Sequence, residues 1–302
     1  MSVLALTGGT GFVGGKLIDL ALAAGHQVRA LTRREQPARD GVIWVSGALS
    51  DTRSLTGLMS GADAVIHVAG VVNAPTREGF VQGNIEGVAN MIAAAKAAGV
   101  TRFVHVSSLA AREPELSTYG WSKAEGDKLV HASGLDWSIV RPPAIYGPGD
   151  FEMLELFKLA AKGLALTPPG GRLSVIEVGD LGRLLLALAL ADGMGGMTFD
   201  ADDGRADGWS HAEFARAIGV AVDRKVKAIG LPRPIMMLAA RGDRLFRGDK
   251  AKLTPDRVDY FCHEDWVIDA EKRPPAQLWR PKVATPEGLA GTAAWYRAQG
   301  LL

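Results

Sequence analysis

The sequence predicts an α/β protein: a doubly wound parallel sheet with a smaller, mostly helical C-terminal lobe that binds the substrate. Two observations carry this reading. The first half alternates short, continuously apolar runs with longer stretches of helical period. A glycine-rich turn, Thr7 to Gly14, follows the first apolar run at once and opens into the first helical stretch. Continuously apolar runs suit strands buried on both faces. Their alternation with helices implies parallel strands joined by right-handed crossovers.

The strands are expected over 3–6, 28–31, 42–45, 64–68, 103–106 and 137–140, and the helices over 13–24, 54–59, 78–98 and 118–132. Beyond Phe151 the pattern is less regular. Residues 152–162 read as a helix, Pro168 to Gly171 as a turn and 173–178 as a strand. Asp180 is placed to cap a helix running to 191, and a further helix lies over 209–218, around Ser210. The prolines at 232 and 234 break the chain, and Pro286 marks the first turn of a final helix. The expected division is 1–150 for the sheet domain and 151–302 for the second lobe, with residues near 173–200 returning to the first domain.

Composition narrows the function classes. The chain has 302 residues, 47% hydrophobic and 22% charged, with a formal net charge of +1. That is ample apolar content for a core, and so small a charge provides no global field for nucleic acid or an anionic membrane. A single cysteine, Cys262, excludes an internal disulfide framework. The opening residues lack a cationic n-region, and the longest apolar run, 184–191, falls far short of the roughly 20 residues of a bilayer span. The expectation is a cytoplasmic protein with a small-molecule substrate and neither nucleic-acid nor membrane partners.

The glycine turn is specific because of its place between a buried strand and an amphipathic helix. Gly8 and Gly11 permit a tight turn and close backbone approach to a pyrophosphate. Gly14 lets the helix pack on the sheet, and the helix's first amides face the anion. Thr7, Gly8, Gly11, Phe12, Val13 and Gly14 are therefore candidate dinucleotide contacts. At the end of the second strand the chain reads Ala30-Leu31-Thr32-Arg33-Arg34, with no acid before Glu35. A guanidinium suits a 2′-phosphate, which favours NADP (NADPH) over NAD and points to Arg33, with Arg34 as its substitute. The bland alternative is a pair of solvated loop arginines.

Tyr119 and Lys123 stand four residues apart, on one face of an expected helix. A free phenol titrates near pH 10, and a neighbouring ammonium favours its ionised form. The pair alone is a common accident of solvated helices. Its position just after the fifth strand, which ends in Val106-Ser107-Ser108, places it at the carboxyl edge of the sheet where ligands bind.

With these motifs the sequence resembles the short-chain dehydrogenase/reductase superfamily, in its extended or closely related atypical branch, the NAD(P)-dependent epimerase/dehydratase-like family. Thr7 to Gly14 matches the TGxxGxxG fingerprint and Tyr119 with Lys123 the YxxxK pair. Asp63 to Gly70 is similar to the fourth-strand signature, and Asn84 to Asn90 to the NxxGTxN helix start, with Val88 replacing the threonine. Arg141 to Gly149 is similar to the RPxxxYGPG segment. The resemblance implies a Rossmann domain and an oxidoreductase in which Tyr119 passes a proton to or from the substrate oxygen. It implies that Ser108, or failing it Ser107, hydrogen-bonds that oxygen, and that Lys123 binds the nicotinamide ribose. Asn84, Ala69, Gly70 and Pro142 would line the cofactor, and Asp51 would contact the adenine. Leu109-Ala110 stands where sugar dehydratases carry an Asp-Glu pair, so elimination of water is disfavoured. Homodimers are frequent in this branch.

The remaining signals are weaker. His67 reads as a core or cofactor-flanking histidine, and Cys262-His263-Glu264-Asp265 as no metal site, since consecutive residues do not converge as ligands. The uncharged run Ile235 to Ala240 reads as a core helix rather than a contact with membrane or a partner helix. The leading function is interconversion of a secondary alcohol and a carbonyl on a partly hydrophobic substrate. The alternatives are a nucleotide-sugar epimerase, with Arg172 and Arg183 as diphosphate ligands, and a non-catalytic NAD(P)H-binding sensor or accessory subunit.

Overall fold

Leu4 and Leu6 belong to one hydrophobic core and Ala5, between them, to another, because side chains alternate across a strand and both faces of this one are covered. The computed structural model describes residues 1–248 and 254–302. In its first half the strands β1 (Val3–Thr7), β2 (Gln27–Thr32), β3 (Val42–Ser46), β4 (Ala64–His67), β5 (Arg102–Val106) and β6 (Asp136–Arg141) pair in parallel, in the spatial order 6-5-4-1-2-3. The helices between them are α1 (Phe12–Ala23), α2 (Thr52–Met59), α3 (Arg77–Phe80), α4 (Gly87–Ala98) and α5 (Thr118–His131). Leu17, Ile18 and Ala21 of α1 cover one face of the sheet. The opposite face is covered by Leu55 and Leu58 of α2, Val88 and Met91 of α4, and Val130 of α5. At roughly 1.5–3 kcal/mol for each fully buried large apolar side chain, these two layers are the main source of the domain's stability.

Two boundaries differ from expectation for local reasons. Helix α2 begins at Thr52 because the Asp51 side chain caps it, accepting from Arg53 N at 3.1 Å. The expected single helix over 78–98 is interrupted by a π-helical segment, Val81–Glu86, between α3 and α4.

The second half supplies β7 (Ala144–Tyr146), α6 (Leu154–Ala161), β8 (Leu164–Thr167), β9 (Arg172–Leu173), β10 (Val175–Glu177), α7 (Val178–Leu190), β11 (Met197–Asp200), β12 (Trp209–Ser210), α8 (His211–Ala221), β13 (Lys227–Gly230), α9 (Arg233–Arg247), α10 (Pro255–Phe261), β14 (Asp265–Trp266) and α11 (Thr285–Ala298). Strand β11 pairs with β6 and completes a seven-stranded sheet of order 11-6-5-4-1-2-3. Helix α7 buries Leu181, Leu184, Leu185 and Leu188 in the same core as α1. Its cap is Glu177, which accepts from the amides of Gly179 and Asp180, and not Asp180 as the sequence suggested. The Asp180 carboxylate instead holds the C-terminal chain through Lys282 N and Val283 N, each at 3.0 Å, and pairs with Arg183.

The lobe has its own core of Tyr146, Phe157, Phe214 and Tyr296, gathered by β7, α6, α8 and α11. Ser210 caps α8 with a reciprocal box to Glu213, 3.2 Å in one direction and 2.8 Å in the other. Helix α9 is not the plain core helix expected over 235–240. Of that run only Met236 and Ala240 are fully buried, packed with Val258 of α10. Among the described residues no helix is long and apolar enough to cross a membrane.

Candidate active site

The carboxyl ends of β1, β4 and β5 converge, and the turn after β1 is shaped to leave its backbone open. Gly8 has φ of +77°, and a Cβ on it would lie 2.9 Å from Ala69 N. A Cβ on Gly14 would collide with the Gly8 carbonyl, so the first turn of α1 packs directly on the loop. Helix α1 is preceded by Gly11 at its N-cap, with no side-chain cap and no acid in its first turn. An anion is the complement of such a helix start. Thr7 is fully buried. Its hydroxyl accepts from Ala69 N at 3.1 Å and shares a 2.7 Å hydrogen bond with His67 Nδ1, so it ties β1 to β4 beneath the turn. Phe12 and Val13 are half-buried at the start of α1. These residues fit a dinucleotide pyrophosphate, and Arg33 and Arg34 lie exposed at the end of β2, as an approach to the adenosine end requires. Asp51 is also exposed, with its carboxylate already engaged in capping α2.

The second group of side chains comes from α5, β5 and the π-helical segment. Asn84 is buried there. Its Oδ1 accepts from Val71 N at 2.7 Å, and its Nδ2 donates to Val71 O at 2.8 Å and to Ser122 Oγ at 2.9 Å. Ser122 Oγ in turn donates to Tyr119 O at 2.8 Å. A Cβ on Gly70 would stand 3.1 Å from Asn84 Oδ1 and 3.6 Å from Lys123 Nζ, which puts these three residues at one point. Lys123 is buried and donates from Nζ to Val106 O at 2.8 Å. Ser108 accepts from Ala110 N at 3.2 Å and also interacts with the Tyr119 phenol. Leu109 N donates to Pro142 O at 2.9 Å, which brings the buried Pro142 to the same edge. The structure thus gathers Ser108, Tyr119, Lys123, Asn84 and Gly70 around one end of the cleft, and Thr7, Gly8, Gly11, Gly14 and Ala69 around the other.

The electrostatics depart from the simple expectation for Tyr119. Burial pushes its phenol above the ordinary value of 10, and the Ser108 contact and the Arg257 charge only partly offset this. Burial also lowers Lys123 to about 8, with the Asp127 carboxylate acting in the opposite sense. The ammonium of Lys123 is directed to the Val106 carbonyl, so desolvation outweighs any pull it exerts on the phenol. At neutral pH the site therefore holds a protonated phenol and a charged amine, the states suited to giving a proton to an oxygen. Behind them, burial and the Lys123 charge lower His67 to about 3 and keep it neutral. It stacks on His105 at 5.5 Å, as a core histidine.

A cavity of about 380 Å³ lies against Tyr119. Besides Tyr119, its walls include residues that sequence reasoning missed: Val72, Asn73, Arg77 and Phe80 after β4, and Asp256, Arg257 and Tyr260 from α10. Asp256 accepts from both Thr118 N (2.8 Å) and Thr118 Oγ1 (3.1 Å), fastening α10 to the first turn of the helix that carries Tyr119. The segment after the catalytic strand, Leu109 and Ala110, packs with Trp266 and Ile268 from the second lobe.

Residues 8–154 match the model of an NAD(P)H-binding family. The chain is 38% identical over 311 residues to a ceramide reductase of Caulobacter vibrioides, covering 99% of this chain and 96% of that protein. The chain belongs to the extended branch of the short-chain dehydrogenase/reductase superfamily. It is 26% identical to a UDP-glucose 4-epimerase of Vibrio cholerae, over 95% of this chain and 93% of that one. The fold is that of the Thermus thermophilus UDP-glucose 4-epimerase solved with NAD, with a TM-score of 0.71 at 21% identity over 98% and 99% of the two chains. As a member of this superfamily the protein is an NAD(P)-dependent oxidoreductase. When bound, the dinucleotide would supply or accept a hydride.

Proposed function

We propose that the protein reduces a keto group on a ceramide-type lipid with NADPH. Near-full-length likeness to a ceramide reductase carries this reading, and an apolar element in the cavity wall, Val72, Phe80 and Tyr260, supports it. Bound NADPH would supply the hydride for the carbonyl carbon, and the Tyr119 hydroxyl gives its proton to the carbonyl oxygen. Ser108 hydrogen-bonds that oxygen and Lys123 holds the nicotinamide ribose. Holding the oxygen in line with the proton donor turns the transfer into an effectively unimolecular step. The preference for NADPH rests on Arg33, an exposed guanidinium with no acid on the second strand to favour a free 2′-hydroxyl.

The epimerase reading loses its expected anion ligands. Arg172 donates to the carbonyls of Asp207 (2.5 Å) and Gly208 (3.0 Å), and Arg183 pairs with Asp180. Neither lines the cavity beside Tyr119. NADPH consumption measured with a long-chain keto-ceramide and, separately, with UDP-glucose tests the proposal. Oxidation with the lipid alone supports it. Interconversion of the sugar nucleotide with no net consumption would replace it with the epimerase reading.

A further inference from the structure

Helix α9 carries its apolar residues outward. Ile235, Leu238, Leu245 and Phe246 are 52%, 70%, 83% and 88% exposed, whereas Met236 and Ala240 on the other side are buried against α10. With the small residues Ala239 and Gly242 they form a stripe at positions i, i+3, i+4, i+7, i+10 and i+11 counted from Ile235, one continuous face of a helix. A surface helix of a water-soluble protein is ordinarily polarised the other way. Four large side chains so exposed along one helix mark an interaction surface.

We propose that α9 is an interfacial helix that lays this stripe into the headgroup region of an anionic lipid bilayer. Charge selects the bilayer over a second copy of the chain. The helix sequence holds four arginines and one aspartate; Arg247 pairs with that aspartate, Asp243, at 3.3 Å, and the helix stays net positive, so two such helices would meet with like charge on their flanks. An anionic surface complements them. Arg241 is exposed, and Arg233 is paired with Asp259 of α10, which anchors the helix to the protein. The C-terminal end of the helix also reaches the cavity. Gly248, directly after α9, and Pro255 to Arg257 at the start of α10 line the space beside Tyr119. A bilayer seated on α9 therefore lies next to the mouth that a lipid would use. The net charge of the whole chain gave no hint of this surface, because the arginines of one helix are balanced by acids elsewhere. This inference rests on the exposure of α9 and holds for any substrate.

The test is flotation of the full-length protein with phosphatidylglycerol/phosphatidylcholine vesicles, beside Leu238→Glu and Phe246→Ser variants. Both sites are exposed and remote from the catalytic groups, so turnover of a short, soluble ketone serves as the folding control. Wild-type protein is expected to float with the anionic vesicles, and each variant to bind at least about tenfold more weakly. A Leu238→Trp variant is expected to show a blue-shifted emission when those vesicles are added. Failure of the wild type to float, or flotation unchanged by the substitutions, would overturn the proposal. So would a lipid-free dimer that the same substitutions disperse, which would assign the stripe to self-association. Because the control uses a soluble ketone, loss of docking is distinguishable from error in the ceramide reading.

Discussion

Asp127 lies one helical turn beyond Lys123 on α5, and its buried carboxylate is the charge that resists the desolvation of the lysine. The carboxylate is itself held by Arg141, with Nη2 at 2.8 Å and Nε at 2.9 Å. A lysine so buried would otherwise lose its proton more readily. The i, i+4, i+8 series Tyr119, Lys123, Asp127 thus runs from the reacting group to the charge that sustains it.

This relationship fixes the sign of a pH effect. Burial depresses the Lys123 pKa to about 8, so the ammonium is present below that pH and is lost as pH rises through it. In Asp127→Asn the opposing charge is gone and the pKa falls further. The alkaline limb of the kcat/KM profile is therefore expected to move toward acid. A limb that stays in place would show that Asp127 does not act through Lys123.

Arg33 is expected to discriminate between the dinucleotides. Replacing it by alanine removes a charge-assisted contact to the 2′-phosphate, and the Kd for NADPH should rise by about tenfold or more. The Kd for NADH should hardly change. Arg34→Ala should have the smaller effect. Titration of both coenzymes against each variant measures this.

Gly14→Ala is expected to cost about 1–3 kcal/mol of stability and to weaken dinucleotide binding, because its new methyl group would press on the Gly8 carbonyl and displace the turn. Thermal melts with and without NADPH report both effects. An unchanged Tm and an unchanged ligand-induced rise would contradict the close approach of α1 to the turn.

Much of the first domain was legible because its signals are local. The strands are continuously apolar, and the glycine turn sits between a strand and a helix. Elsewhere the deciding partner is distant in sequence. Glu177 and Asp180 both precede the apolar run of α7, and only Lys282 and Val283, about a hundred residues on, settle which of them caps. The strands β9, β12 and β14 have two residues each, too few to show a period. Ser108 and Tyr119 could be named from motifs. The facing wall of Asp256, Arg257 and Tyr260 follows no motif and arrives through the docking of α10. The uncharged run Ile235 to Ala240 indicates an apolar helix, but the run alone does not say which of its sides meets the protein, and Ile235 and Leu238 turn outward.

Tyr119 is the proton donor on which the reductase mechanism turns. The direct measurement is single-turnover oxidation of bound NADPH by Tyr119→Phe with a keto-ceramide, alongside NADPH binding by the same variant. Hydride transfer is expected to slow by about a hundredfold or more, with the Kd for NADPH nearly unchanged. Transfer at the wild-type rate would contradict the mechanism and remove the phenol from the chemistry.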